Sequence, residues 1–141
     1  KTAQEYRNIR NNSAGTYYLV CDIDLLKEHF TPMDNFNGTI DGLGHTLYGL
    51  SYEFVGSSGS YTNFGMFRQF SGNMRNLTIY APYVYSEKSK DGQDNDSTGI
   101  IAGKMNGGTI SNVSIIGAYV YGSHHRGVVD GGTYKLVYTA G

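Results

Sequence analysis

The 141-residue chain has one cysteine, two prolines and no tryptophan. A lone cysteine, Cys21, excludes an internal disulfide and any cysteine-based zinc cluster, and its setting between Val20 and Asp22 reads as that of a small, buried apolar side chain. Neither charge sign dominates: 11 Lys and Arg stand against 12 Asp and Glu, for a formal net charge of -1. Without a basic stripe to hold a phosphate backbone, nucleic acid is not an expected partner. No apolar run approaches the roughly 18 residues that a membrane span needs, and no charged-then-apolar leader is visible. Membrane insertion is not expected, and any signal peptide or anchor is expected outside this sequence. Helical periodicity is absent after residue 15.

What is plentiful is glycine, at 20 residues, and tyrosine, at 13. Glycine at this level without collagen's three-residue period signals many tight turns, and the length fits a single domain. Five Asn-x-Ser/Thr sequons, at Asn11, Asn37, Asn76, Asn95 and Asn112, read as turn chemistry rather than as glycan acceptors, because Asn76 and Asn112 lie inside apolar runs.

Residues 72–85 and 108–121 align without a gap at an offset of 36, sharing the leading glycine, an asparagine, an isoleucine and the triplet Tyr-Val-Tyr. Gly-plus-apolar runs precede both copies, so the repeats are bounded at 64–85 and 99–121, with a partial one from 127 and an earlier partial copy at 36–50. Each unit consists of short alternating strands of three to five residues separated by Gly, Asn or Ser turns. A unit this thin cannot bury its own apolar face, whereas stacked rungs share one continuous core and pair every strand above and below. The expected fold is all-β: a short right-handed parallel β-helix over 16–141 with an N-terminal capping helix over 1–15. In the repeats, alternation sends Leu77 with Ile79, and Val113 with Ile115, to the core side. Asn76 and Asn112 are placed just before a strand, where asparagine tolerates a left-handed backbone and can hydrogen-bond to its equivalent in the next rung.

The cap rests on Thr2 as an N-cap with Glu5 three residues later, and on Tyr6 and Ile9 sharing one face. Residues 133–138 read as one more strand with no evident cap.

Residues 99–122 resemble a GLUG-type repeat. Upstream, Tyr17, Leu19, Asp22, Ile23, Asp24 and Leu25, followed by Phe36, Gly38, Thr39, Asp41, Gly42, Gly44, His45, Thr46 and Leu47, resemble the segment that precedes such repeats. The resemblance spans most of residues 2–132. It implies a β-helical region of a large extracellular bacterial protein, secreted or anchored to the surface, such as an adhesin or an immunoglobulin A1-type metallopeptidase. The His-Glu-x-x-His motif of those peptidases does not occur here, so the resemblance carries no enzymatic activity to this chain. The four repeat tyrosines and the polar insert at 86–97 depart from the usual pattern.

Among candidates for chemistry, His45 falls in a Gly-His-Thr turn, His29 stands alone beside Glu28, and His124 with His125 reads as a solvated pair that alternation points to opposite faces. Asp91, Asp94 and Asp96 concentrate carboxylates in one stretch that could hold calcium, although the spacing matches neither the EF-hand nor the nonapeptide loop. No other cofactor is expected. Asp22, Asp24 and Asp41 read as turn residues.

The sharpest feature is a tyrosine ladder. If Val84 and Val120 point inward, Tyr83, Tyr85, Tyr119 and Tyr121 point outward and stack in two pairs. Such a row can contact a glycan or a protein, since tyrosine offers broad area at little rotamer cost, and it can equally serve only to stabilise the stack. The expected function is a non-catalytic adhesion or spacer module whose tyrosine face meets a host glycan or host surface protein, beside other domains of the same chain. The alternative is an accessory domain that positions substrate for a secreted peptidase or polysaccharide-degrading enzyme.

Overall fold

After one short helical segment, the chain alternates brief strands with sharp corners, and almost every strand pairs parallel to one far away in sequence. The computed structural model describes residues 3–56, 63–88, 97–124 and 134–138. Strands are numbered β1 to β15 in chain order. The first sheet holds β1 (Thr16–Tyr18), β4 (Thr39–Asp41), β9 (Asn73–Tyr80) and β13 (Thr109–Ile116), with β2 (Ile23–Asp24) and β5 (Thr46–Tyr48) along the second half of β9. The second holds β6 (Ser51–Gly56), β10 (Tyr83–Lys88), β14 (Tyr119–His124) and β15 (Tyr134–Tyr138). The third holds β3 (Met33–Phe36), β8 (Phe67–Phe70) and β12 (Ala102–Met105), and a small fourth pairs β7 (Asn63–Phe64) with β11 (Ser97–Thr98). The chain thus visits the third, first and second sheets in that order three times. The fold is mostly β, with parallel sheets and one short α-helix.

Register follows the sequence repeat. Thr109 pairs with Asn73, Ile115 with Ile79, and Tyr119 with Tyr83, each at the 36-residue offset. Inward positions form the core: Ile40 with Met74, Leu47 with Ile79, and Tyr52 with Val84 are almost fully buried. Phe36 stacks on Phe67 at 4.8 Å and on Phe70 at 5.8 Å, joining the third sheet to this core. Layers approach closely at a column of glycines. A Cβ added to Gly72 would sit 2.3 Å from the Gly38 carbonyl oxygen, and one on Gly108 would sit 2.0 Å from that of Gly72.

Asn76 and Asn112 have φ of 53° and 50°, the left-handed conformation expected of them. They lie inside eight-residue strands rather than just before a strand, and these strands exceed the expected three to five residues. A single left-handed residue turns the strand at a corner while the neighbours on both sides keep pairing, which alternation alone does not reveal. The side chains form the expected column: Asn112 Nδ2 donates to Asn76 Oδ1 at 2.8 Å, and Asn76 Nδ2 donates to Asp41 Oδ1 at 3.1 Å.

At the amino-terminal end, α1 (Ala3–Arg7) runs into a 3-10 turn (Asn8–Asn11) and buries Tyr6 and Ile9, as their spacing predicts. Tyr6 shares a 2.6 Å hydrogen bond with the Tyr52 hydroxyl and meets the Phe30 ring edge-on at 5.2 Å. Burial raises both phenols well above their ordinary value, so the pair stays neutral. The N-cap candidate Thr2 lies outside the described residues.

Three expectations are corrected. Ile115 is not core: it is 40% exposed and Val113 is half-buried, whereas Leu77 and Ile79 at the same register are buried. No described layer covers β13 on its far side, so the inward face of the last copy meets solvent. Cys21 is half-buried at a bend rather than in the core, because Leu19 and Ile23 take the two inward positions around it. The strand at the carboxyl end, β15, is present but pairs antiparallel with β14, which breaks the parallel series. The partial copy from 127 lies outside the described residues.

Candidate functional site

Two strands in register carry the four tyrosines. Val84 is fully buried and Val120 half-buried, so alternation turns Tyr83, Tyr85, Tyr119 and Tyr121 to the outer face of the second sheet. Tyr83 and Tyr119 stack at 5.0 Å with 7° between their planes, and Tyr85 and Tyr121 stack at 4.7 Å and 9°. Along β10, the Tyr83 and Tyr85 rings are parallel to within 6° at 6.4 Å. The spacing of the stacks is that of neighbouring strands, so each ring face between layers is filled by its partner. Ring edges and hydroxyls are what this face offers outward. Tyr119 is 44% exposed and the other three are half-buried.

The column does not remain aromatic. One layer nearer the amino terminus, Ser51 stands opposite Tyr83 and Glu53 opposite Tyr85. His29 pairs with Ser51 in a parallel bridge, shares a 3.0 Å hydrogen bond from Nδ1 with Ser51 Oγ, and sits 3.2 Å from Glu53 Oε2 through Nε2. His29 is therefore not alone beside Glu28; Glu28 pairs with Arg7 instead. Sequence reasoning missed this cluster because the first layers are spaced by 22 to 24 residues, not 36, so no repeat lines up His29 with Ser51. Glu87 on β10 accepts a hydrogen bond from the Tyr85 hydroxyl.

These carboxylates set the phenols' acidity. The hydrogen bond to Glu87, then lost hydration, pushes Tyr85 up to about 12. Lost hydration, followed by the charge of Glu53, raises Tyr83. The face therefore presents neutral hydroxyls across the whole physiological range.

Beside the ladder, at the corner between the first and second sheets, lies a cavity of about 360 Å³ whose lining includes Lys27, His29, Ser51, Tyr83 and Tyr119. Leu26 and Lys27 both have left-handed backbones, with φ of 58° and 54°.

The other candidates have local roles. Asp24 accepts the Leu26 N–H at 2.7 Å and Asp41 the Leu43 N–H at 3.0 Å, both Asx turns as expected. Asp41 also takes Arg75 Nε at 2.7 Å, and the Leu43 N–H, Arg75 and Asn76 together hold its carboxyl below the usual range. Asp22 accepts the Thr46 N–H at 2.9 Å and meets His45 Nδ1 at 3.1 Å, which ties two layers together and likewise lowers its carboxyl. The proposed calcium ligands Asp91, Asp94 and Asp96, and His125, lie outside the described residues. Comparison with protein-family models, curated proteins and solved structures yields no match to the chain. The GLUG-type resemblance therefore rests on the residues quoted for it.

Proposed function

We propose that the chain is part of a right-handed parallel β-helix of the GLUG type, and that it serves as a non-catalytic recognition module of an extracellular bacterial protein. Its outer tyrosine face would contact a glycan or a protein surface. The three-fold recurrence of the same sheet order supports the β-helix, with the right hand that parallel crossovers prefer. The observation that carries the function is the pair of tyrosine stacks in exact strand register, half-exposed, with their hydroxyls neutral and held in place. Rigid aromatic side chains presented as an array lose little rotamer freedom on binding, which is the property of recognition surfaces.

Glycan and host-protein arrays probed with the purified protein test this reading. A ligand whose binding falls at least about tenfold in a Tyr85→Ala/Tyr121→Ala variant supports it, in line with the cost of losing an aromatic hot spot. Binding that is unchanged in that variant, or no ligand at all, overturns it.

A further inference from the structure

The tyrosine ladder is incomplete at one end, and the cavity lies there. Ser51 occupies the register position beneath Tyr83 where the next layer carries Tyr119. A hydroxymethyl group fills far less space than a phenol, so the Tyr83 face turned toward Ser51 has no ring stacked on it. The nearest ring is His29, tilted by 59° at 6.5 Å. The cavity of about 360 Å³ falls within the ~300–1,000 Å³ typical of small-molecule sites.

Its charges are unequally committed. His29 is engaged by Ser51 and Glu53, whereas Lys27 makes no ion pair or hydrogen bond through its ammonium among the described residues. The uncommitted charge bordering the cavity is thus a cation, next to an aromatic face.

We propose that this cavity binds one acidic pyranose of a glycan chain, with the sugar carboxylate paired to Lys27 and the apolar C–H face of the ring on Tyr83. The proposal rests on the recognition reading above and adds the sugar class and the subsite. A pyranose completes the aromatic column where a tyrosine is missing. Its hydroxyls fall within reach of His29 and Ser51, and its carboxylate neutralises the one unpaired charge.

The test titrates oligogalacturonate, the matching neutral galactose oligomer and benzoate into the protein, following tyrosine ring resonances by NMR. Three variants are compared: Lys27→Gln, Ser51→Tyr and Tyr85→Ala/Tyr121→Ala. Oligogalacturonate should bind at least about tenfold more tightly than the neutral oligomer, the scale of a charge-assisted contact. Lys27→Gln should erase that difference, and Ser51→Tyr should abolish binding by filling the gap. Lys27 is exposed, so its variant keeps the packing even if Ser51→Tyr fails to fold. Equal binding of acid and neutral oligomers, unchanged binding in Lys27→Gln, or benzoate binding as tightly as the uronate overturns the assignment. A ligand from the arrays that needs Tyr85 and Tyr121 but not Lys27 would leave the recognition face standing and remove this subsite. No ligand of any kind would remove both.

Discussion

Asn112 donates its side-chain amide to Asn76 Oδ1 at 2.8 Å across 36 residues of sequence, and both backbones are left-handed at that point. Backbone and side chain make separate demands here. The corner needs positive φ, which glycine meets and β-branched residues do not; the column needs an amide that both donates and accepts, which glycine lacks. Substitutions of Asn76 should rank accordingly. Asn76→Val should cost most, about 2–4 kcal/mol, Asn76→Ala less, and Asn76→Gly least, at about 1 kcal/mol. Urea unfolding of the three variants checks the order. Alanine proving no worse than glycine would show that the corner is not under backbone control.

Asp41 gives the stability a defined acid limb. Its carboxyl is held below the ordinary value of 3.8 by the Leu43 N–H, Arg75 and Asn76. A carboxyl whose acidity rises on folding stabilises the fold above its unfolded pKa, and this contribution is lost as pH falls through the folded value. Melting temperature should therefore drop as pH is lowered from about 5 through the carboxylate range, and Asp41→Asn should flatten part of that slope while lowering the plateau. An unchanged slope in the variant would assign the acid limb to other carboxylates, Asp22 first among them.

Ile79 and Ile115 are register partners with opposite fates. Ile79 is fully buried, and Ile115 is 40% exposed. Ile79→Ala should cost about 2–5 kcal/mol, as buried isoleucine truncations do, and Ile115→Ala less than about 1 kcal/mol. Equal costs from chemical denaturation would mean that another layer covers β13 in solution.

Tyr85 should titrate late. Its phenol is pushed up to about 12, chiefly by the hydrogen bond to Glu87, and Tyr83 is also raised. In an ultraviolet difference titration, Glu87→Gln should return one phenol toward the ordinary range near 10. A titration curve identical to that of the parent would show that the Tyr85–Glu87 contact does not form in solution.

These residues also show where sequence reading succeeds and where it stops. The 36-residue offset gave the pairing of β10 with β14 and of β9 with β13, because a repeat without gaps leaves register no freedom. Positive φ at Asn76 and Asn112 and the burial of Tyr6 and Ile9 were legible from local chemistry. His29 against Ser51 was not, since the early layers have their own spacing and a single histidine carries no periodic signal. Nor was the exposure of Ile115, which depends on whether another layer follows rather than on its own strand. Cys21 misled because residue type predicts burial only on average, and Leu19 and Ile23 had already taken the inward positions. Antiparallel β15 had no counterpart in the repeat from which its direction could be inferred.

The most direct test of the recognition role is the ligand affinity of Tyr83→Ala/Tyr85→Ala/Tyr119→Ala/Tyr121→Ala, shown by circular dichroism to keep the parent's β-spectrum. Loss of the binding seen with the parent protein, by about a hundredfold or more, is the expected result for removal of four aromatic anchors. Full binding by the folded variant would contradict it, and would leave the tyrosine stacks as braces between layers.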